Sequence, residues 1–177
     1  FLMHWCVHSH RILQNTLHQK YLLSSWHANI LSPGAMEQKI HIDSAVPDPI
    51  PPWPIRLNVN FILQDYSESN GSTYFVPGSH KFLQKPNPYK KTSNLKPLIA
   101  KKGSLVFWTG HLWHQSGKNN SDEDRLALLG CFATSIFREM VMEENPYLSL
   151  KPDTASPYSK KIKNLIGWSH GLKEIKK

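Results

Sequence analysis

The stretch IRLNVNFIL, residues 55–63, carries the clearest structural signal in the chain. Its side chains alternate in character, as expected for a β-strand whose successive side chains point to opposite faces. One face holds Leu57, Val59, Phe61 and Leu63, and the other holds Arg56, Asn58, Asn60 and Ile62. Because two asparagines share a face, this strand is predicted to border either a polar cavity or solvent.

Turn sequences follow this strand and divide the rest of the chain into short segments. ESNG at 68–71 is typical of a hairpin, and Pro77-Gly78-Ser79 forms a second turn after a short apolar run at 73–76. Further strands are predicted at 21–31, 98–100, 104–109, 111–115 and 126–137, and flanking helices at 10–20 and 159–166. Many short strands with little helix between them indicate a mainly β, antiparallel fold, for which a jelly roll is the best match.

The size of the chain indicates one domain. With 177 residues, of which 40% are hydrophobic, it can bury one sizeable core, and no segment has the composition of a linker. We therefore expect a single domain spanning 1–177. The chain does not begin with Met and opens on a hydrophobic segment, so we expect that an N-terminal portion is missing.

The net charge of +8 raises the question of a nucleic-acid partner. The lysines lie mostly in loops and in the C-terminal segment, without aromatic residues interleaved among them. That distribution favours a solvated basic surface over a groove for a polyanion, so no nucleic-acid partner is expected.

Cysteine usage and hydropathy indicate the cellular setting. The two cysteines, Cys6 and Cys131, lie far apart and lack the spacing of a zinc site or a disulfide framework. No apolar run is long enough for a membrane span. We expect a soluble, cytoplasmic protein, and the sequence does not indicate its oligomeric state.

His41-Ile42-Asp43 is the first candidate for chemistry. An imidazole and a carboxylate two residues apart lie on one face of an extended segment, where both can bind one metal ion. Two histidines and one carboxylate leave adjacent positions of Fe(II) open for a bidentate co-substrate and O2. His114 is the candidate third ligand, and Arg125 is suited to bind the far carboxylate of a keto acid.

Several motifs, in one order along nearly the full chain, resemble the phytanoyl-CoA dioxygenase family. They are LSSWHANILSPG (23–34), EQKIHID (37–43), ILQDYSESNGSTYFVPGSHKF (62–82), KGSLVFWTGHLWHQSGKNNSDEDRLAL (102–128) and FREMVMEENPYLSL (137–150). The most specific are NGSTYFVPGSH and a His-x-Ser-Gly followed by Arg eleven residues after the histidine. The N-terminus departs from the pattern, because family members have a helical portion and additional strands before LSSWHANIL.

This resemblance implies a double-stranded β-helix, the cupin-like jelly roll, with Fe(II), 2-oxoglutarate and O2 as cofactor and co-substrates. It implies that His41, Asp43 and His114 hold the iron and that Arg125 binds the distal carboxylate of 2-oxoglutarate. Gln38 and Thr73 match positions that contact the co-substrate, and Ser116, Asn58 and Asn60 are weaker candidates. The implied reaction is hydroxylation of an unactivated C–H bond in a small-molecule or acyl-CoA substrate, with release of succinate and CO2.

Alternatives remain for some residues and for the function. His111 is close in sequence to His114, but the spacing to Arg125 favours His114 as the ligand. Arg125 can instead be a surface partner of Asp122 or Asp124. The other functions to consider are a non-catalytic jelly-roll binding protein and an oxygenase acting on nucleic acid.

Overall fold

The computed structural model describes residues 2–17, 21–44, 46 and 48–134. Within them, helix α1 (Leu2–Leu17) precedes the strands. The strands are β1 (Tyr21–Leu31), β2 (Arg56–Ile62), β3 (Thr73–Phe75), β4 (Lys96–Pro97), β5 (Leu105–Thr109), β6 (His114–Ser116) and β7 (Arg125–Thr134). A short 3-10 helix, Ser79–Lys81, lies between β3 and β4. The described chain is therefore mainly β, as predicted.

The strands form two sheets whose neighbours are mostly distant in sequence. One sheet has the order β1-β7-β2-β5 and the other the order β4-β3-β6. β2 pairs antiparallel with β5, with Leu57 opposite Thr109 and Phe61 opposite Leu105. β3 pairs antiparallel with both β4 and β6. Such long-range antiparallel pairing is typical of jelly rolls rather than of simple hairpin meanders.

The chain divides into two compact units. His27–Leu129 forms one, and the described residues before and after it belong to the other. Every predicted site residue belongs to His27–Leu129. The expectation of a single domain over 1–177 stays a prediction.

Strand β2 is buried on both faces. Leu57 and Val59 are buried on one face, and Asn58 and Asn60 are buried on the other. Of the two settings predicted for the asparagine face, the structure therefore supports the interior rather than solvent.

An extended segment at 34–41 runs beside residues 114–119. The backbone N–H of Gln38 donates to the Ser116 carbonyl at 3.0 Å, and His41 and His114 exchange two N–H···O bonds of 3.0 Å each. At the other end, Gly34 N donates to Asn119 O at 2.9 Å. These bonds hold the segments 34–41 and 114–119, which are distant in sequence, in a fixed register beside each other.

Strand boundaries follow the predictions closely at β1, β2 and β5, and less closely elsewhere. The strand predicted at 98–100 is wrong: β4 is Lys96–Pro97, and Ala100 forms an isolated bridge with Tyr66. The strand predicted at 111–115 begins only at His114, because the chain turns at 110–112, where Leu112 N donates to Thr109 O at 3.0 Å.

The chain termini differ from the predictions or lie outside the structure. Helix α1 begins at Leu2 rather than at residue 10, since residues 2–9 contain no Gly or Pro to end it. The predicted helix at 159–166 and the end of the strand predicted at 126–137 lie outside the described residues. Across the described ranges, no helix is both long and apolar enough to cross a membrane.

Gly71 fixes the turn that precedes β3, and its substitution tests that role. It has a φ of +75°, and an added Cβ would lie 3.0 Å from the Gly117 carbonyl oxygen and 3.3 Å from the Asn119 Cβ. We expect Gly71→Ala to lower the free energy of unfolding by about 3 kcal/mol, since left-handed strain and overpacking add. Chemical denaturation measures this difference.

Gly34→Ala is the matched control for that experiment. Gly34 has a similar φ of +79°, but an added Cβ would meet no atom within 4 Å. Only the conformational cost of about 1 kcal/mol is expected there. Equal losses in the two variants would contradict the close packing around Gly71.

Candidate metal and co-substrate site

The paired backbones of two segments bring the three predicted metal ligands together. His41 lies opposite His114 at the start of β6, and Asp43 N donates to the Gly110 carbonyl at 2.9 Å. One ligand atom from each of His41, Asp43 and His114 lies within 4.8 Å of the other two. The structure thus assembles the predicted trio from two segments that are distant in sequence.

The distances between donor atoms fit one metal ion. His114 Nε2 lies 3.2 Å from Asp43 Oδ2, and His41 Nε2 lies 3.6 Å from Asp43 Oδ1. Donors bound at right angles to a first-row metal at about 2.1 Å lie about 3 Å apart. Two imidazole nitrogens and one carboxylate oxygen are the donor set of the non-haem Fe(II) facial triad, so the residues present fit iron.

Both imidazoles are oriented by backbone carbonyls. His41 Nδ1 donates to Lys39 O at 2.8 Å, and His114 Nδ1 donates to Leu112 O at 2.9 Å. A carbonyl only accepts, so each Nδ1 carries a hydrogen, and in its neutral, metal-binding form each imidazole presents the Nε2 lone pair to the centre of the cluster. Such hydrogen bonds fix the tautomer and the ring orientation of metal-binding histidines.

The charges of the three ligands depend on one another. Burial alone would raise the pKa of Asp43, but the hydrogen bond and charge of His114, with the charge of His41 and a contact from Trp108, hold it below its ordinary value. Burial opposes protonation of His114, yet the hydrogen bond and charge of Asp43 raise its pKa above the ordinary value. The carboxylate therefore stays ionised, as a metal ligand must.

Residues of β2 position the carboxylate. The Asn58 side-chain amide donates to Asp43 Oδ2, and Arg56 Nη1 donates to the Asp43 backbone carbonyl at 2.9 Å. Asn58 is buried, so it stays fixed by the sheet while it holds the ligand. The sequence named Asn58 only as a weak co-substrate candidate, and its contact with Asp43 was not predicted.

A buried cation lies at the start of β7. Arg125 is 2% exposed, which excludes the surface pairing with Asp122 or Asp124 that the sequence left open. Its Nη1 donates to the Tyr66 hydroxyl, whereas its Nε and Nη2 are buried without a hydrogen-bond partner among the described residues. A buried guanidinium with unused donors fits the carboxylate of a bound acid.

Asn60 joins Arg125 through Tyr66. The Asn60 amide donates to the Tyr66 hydroxyl at 3.2 Å, and Asn60 Oδ1 is buried without a hydrogen-bond partner in the described part of the chain. Sequence reasoning missed Tyr66. The only indication in the sequence was its position: a tyrosine, which has a polar hydroxyl, follows closely after the strand that carries the two asparagines.

The remaining co-substrate candidates form a separate group. Gln38 Oε1 accepts a hydrogen bond from Ser116 N at 3.1 Å, and Thr73 lies opposite Ser116 where β3 pairs with β6. Gln38 is exposed, and Thr73 and Ser116 are half-buried. Ser116 thus lies on the strand that carries His114, with Gln38 and Thr73 beside it, and the contact of these residues with a co-substrate stays a prediction.

The rival histidine does not join the cluster. His111 is 5% exposed, and its Nε2 has no hydrogen-bond partner among the described residues. Burial and the nearby charge of His80 lower the pKa of His111. The trio whose ligand atoms converge contains His114 and not His111, so the choice of His114 agrees with the geometry.

Residues 3–127 match the family described as phytanoyl-CoA dioxygenase (PhyH). The chain belongs to the phytanoyl-CoA dioxygenase family. This family comprises Fe(II)- and 2-oxoglutarate-dependent oxygenases, so the cofactors expected from the sequence are those of the family. The resemblance inferred from the motifs is confirmed.

A curated relative carries the same likeness over most of the chain. Dioxygenase af480 of Aspergillus fumigatus is 30% identical over 164 residues, which is 90% of this chain and 52% of the relative. Dioxygenase cdmA of Talaromyces verruculosus is 27% identical over 80% of this chain and 48% of its own length. The chain spans about half the length of these curated relatives.

Solved structures share the fold. EctD from S. alaskensis with bound Fe has a TM-score of 0.59 at 17% identity, covering 71% of this chain and 49% of that one. HygX from Streptomyces hygroscopicus, solved with nickel, 2-oxoglutarate and hygromycin B, has a TM-score of 0.58 at 16% identity, covering 71% and 61%. These likenesses confirm the predicted jelly roll.

Removing the Asn58 amide tests whether it positions Asp43, the candidate metal ligand. We expect Asn58→Ala to weaken Fe(II) binding about 10- to 100-fold, because an unsupported carboxylate samples other orientations. Anaerobic calorimetric titration measures the affinity, and thermal unfolding checks the fold. Asn120→Ala, at an exposed asparagine, is the control and should leave the affinity unchanged. Equal affinities in the two variants would rule out this role of Asn58.

Proposed function

We propose that this chain forms the core of an Fe(II)- and 2-oxoglutarate-dependent oxygenase that hydroxylates an unactivated C–H bond of a small-molecule or acyl-CoA substrate. The observation that carries the proposal is the convergence of His41 Nε2, His114 Nε2 and the Asp43 carboxylate, whose ligand atoms lie within 4.8 Å of one another. The buried and incompletely partnered guanidinium of Arg125 supports 2-oxoglutarate as co-substrate. The name of the family supports an acyl-CoA thioester as one candidate substrate class.

In this proposal, His41, Asp43 and His114 would hold the iron, and three protein ligands would leave positions for the co-substrate and O2. When bound, the iron supplies oxidation of the C–H bond by O2, coupled to conversion of 2-oxoglutarate to succinate and CO2. The chain itself contributes position and charge. The Nδ1–H of each histidine donates to a backbone carbonyl, which holds the ring with Nε2 directed to the iron position.

Burial divides the proposed site into two ends. The Arg125 end is closed to water, since Arg125, Tyr66 and Asn60 are each at most 2% exposed. The side chains of His41 and Asp43 are 38% and 29% exposed. We infer that the co-substrate lies at the closed end, where a low dielectric strengthens its pairing with Arg125, and that the substrate approaches from the open end.

The metal chelate gives the first test. Anaerobic addition of Fe(II) and 2-oxoglutarate should produce the weak visible charge-transfer band of the chelate in the wild type, and His114→Ala should abolish it, because the facial triad loses a ligand. His111→Gln is the control and should retain the band. A band that survives in His114→Ala but is lost in His111→Gln would reverse the assignment of the two histidines.

Arg125 gives a second test that separates co-substrate binding from metal binding. We expect Arg125→Gln to weaken 2-oxoglutarate binding by roughly 100-fold or more, because the distal carboxylate loses its buried charge partner. Fe(II) affinity without co-substrate should change little. Calorimetric titrations of each ligand measure the two effects. A parallel loss of both affinities would mean that Arg125 supports the fold rather than the co-substrate.

A further inference from the structure

Tyr66 lies between Arg125 and Asn60 at the closed end of the proposed site, although no sequence motif indicated it. Its side chain is 2% exposed, and its hydroxyl oxygen accepts hydrogen bonds from Arg125 Nη1 and from the Asn60 side-chain amide. The guanidinium carbon of Arg125 lies 4.7 Å from the centroid of the Tyr66 ring. One phenol thus contacts both the buried cation and the inward face of β2.

The hydroxyl hydrogen of Tyr66 finds no acceptor in either of these partners. A guanidinium has only donors, and the amide nitrogen of Asn60 also only donates. A hydroxyl that accepts two hydrogen bonds still has one O–H to donate. Turning the Asn60 amide over would satisfy that O–H with Oδ1, but it would leave the amide N–H groups without an acceptor instead. Either orientation leaves the cluster with more donors than acceptors.

Arg125 adds to the same surplus. Its Nε and Nη2 have no hydrogen-bond partner in the described residues, and its charge is removed from water. An unpaired buried charge is costly, so such a group is expected to face an anion. A surplus of N–H and O–H donors around a positive charge is the complement of a carboxylate, which has only acceptors.

We propose that Tyr66 donates its hydroxyl hydrogen to the distal carboxylate of the bound 2-oxo acid and, together with Arg125, makes the site select a 2-oxo diacid over a 2-oxo monoacid. This inference rests on the proposed function, since it assumes that a 2-oxo acid chelates the iron. It assigns Tyr66 a direct contact with the co-substrate. In a purely structural role, Tyr66 would only fill the core beside Ile62 and Ala127.

The test compares two ligands in Tyr66→Phe, which keeps the ring and removes only the hydroxyl. The probes are 2-oxoglutarate and 2-oxopentanoate, which has the same chain length but no distal carboxylate. Each is titrated anaerobically into the Fe(II)-loaded protein while the charge-transfer band is followed. We expect Tyr66→Phe to bind 2-oxoglutarate about 10- to 100-fold more weakly, the range for losing a hydrogen bond to a charged group, and to bind 2-oxopentanoate unchanged.

Controls separate the contact from a structural effect. Tyr89→Phe makes the same change at a side chain that is 82% exposed and should alter neither affinity. Fe(II) affinity measured without a 2-oxo acid should be the same in wild type and in Tyr66→Phe. An equal loss for both 2-oxo acids, or a loss of Fe(II) binding, would assign Tyr66 a structural role and overturn the proposal.

The outcomes also separate this inference from the proposed function. If the wild type binds 2-oxoglutarate and Tyr66→Phe binds it equally well, only the role of Tyr66 fails. If the folded, Fe(II)-loaded wild type binds no 2-oxoglutarate, both fail.

A second variant decides the matter should Tyr66→Phe fail to fold. Asn60→Asp places a carboxylate beside the Tyr66 hydroxyl and next to Arg125, so it supplies the acceptor that the cluster lacks. We expect a folded protein that binds 2-oxopentanoate like the wild type and 2-oxoglutarate at least 10-fold more weakly, because the new carboxylate occupies the donors. Unchanged 2-oxoglutarate affinity in this variant would show that the carboxylate binds elsewhere, which overturns the proposal.

Discussion

The two backbone hydrogen bonds exchanged by His41 and His114 are the constraint on which the site depends. They fix the separation and the register of two segments that are distant in sequence. The histidine rings, with centroids 4.4 Å apart, then present their Nε2 atoms to the same carboxylate. Because the positions of these side chains follow from backbone pairing, the sheet itself sets the spacing of the candidate ligand atoms. Such preorganisation limits what the side chains lose in conformational entropy on binding.

Strand β2 links the metal end of the site to the anion end. Asn58 holds the Asp43 carboxylate, and Asn60, two residues further along the same face, contacts the Tyr66 hydroxyl that Arg125 also contacts. Residues two apart on a strand are separated by about 7 Å, and the pleat points both side chains the same way. The backbone of one strand therefore sets the spacing between Asp43, the proposed metal ligand, and the cation of Arg125. A rigid spacing of this kind favours a co-substrate with two anionic groups at a fixed distance.

The sequence predicted those features that leave a pattern among neighbouring residues or a recognisable motif. Alternation at 55–63 predicted β2 to within a residue at each end, and the His-x-Asp motif with a distal His and Arg selected the four side chains that the structure buries or clusters. Local patterns could not express the contacts of Tyr66 and Asn58, because their partners Arg125 and Asp43 are distant in sequence. The late start of β6 was also hidden, since it depends on the turn at 110–112 and on pairing with His41.

The unequal burial of the two ends explains why the cofactors are easier to infer than the substrate. At the closed end, each donor of Arg125 and Tyr66 must meet an acceptor, because desolvated polar groups are costly to leave unpaired. Few ligands offer acceptors to all of these donors, so the residues indicate that the ligand carries an anionic group. At the open end, His41 and Asp43 remain partly exposed, and water can satisfy any polar group that the substrate leaves unpaired. The same fold can therefore keep one co-substrate while its surface loops change the substrate.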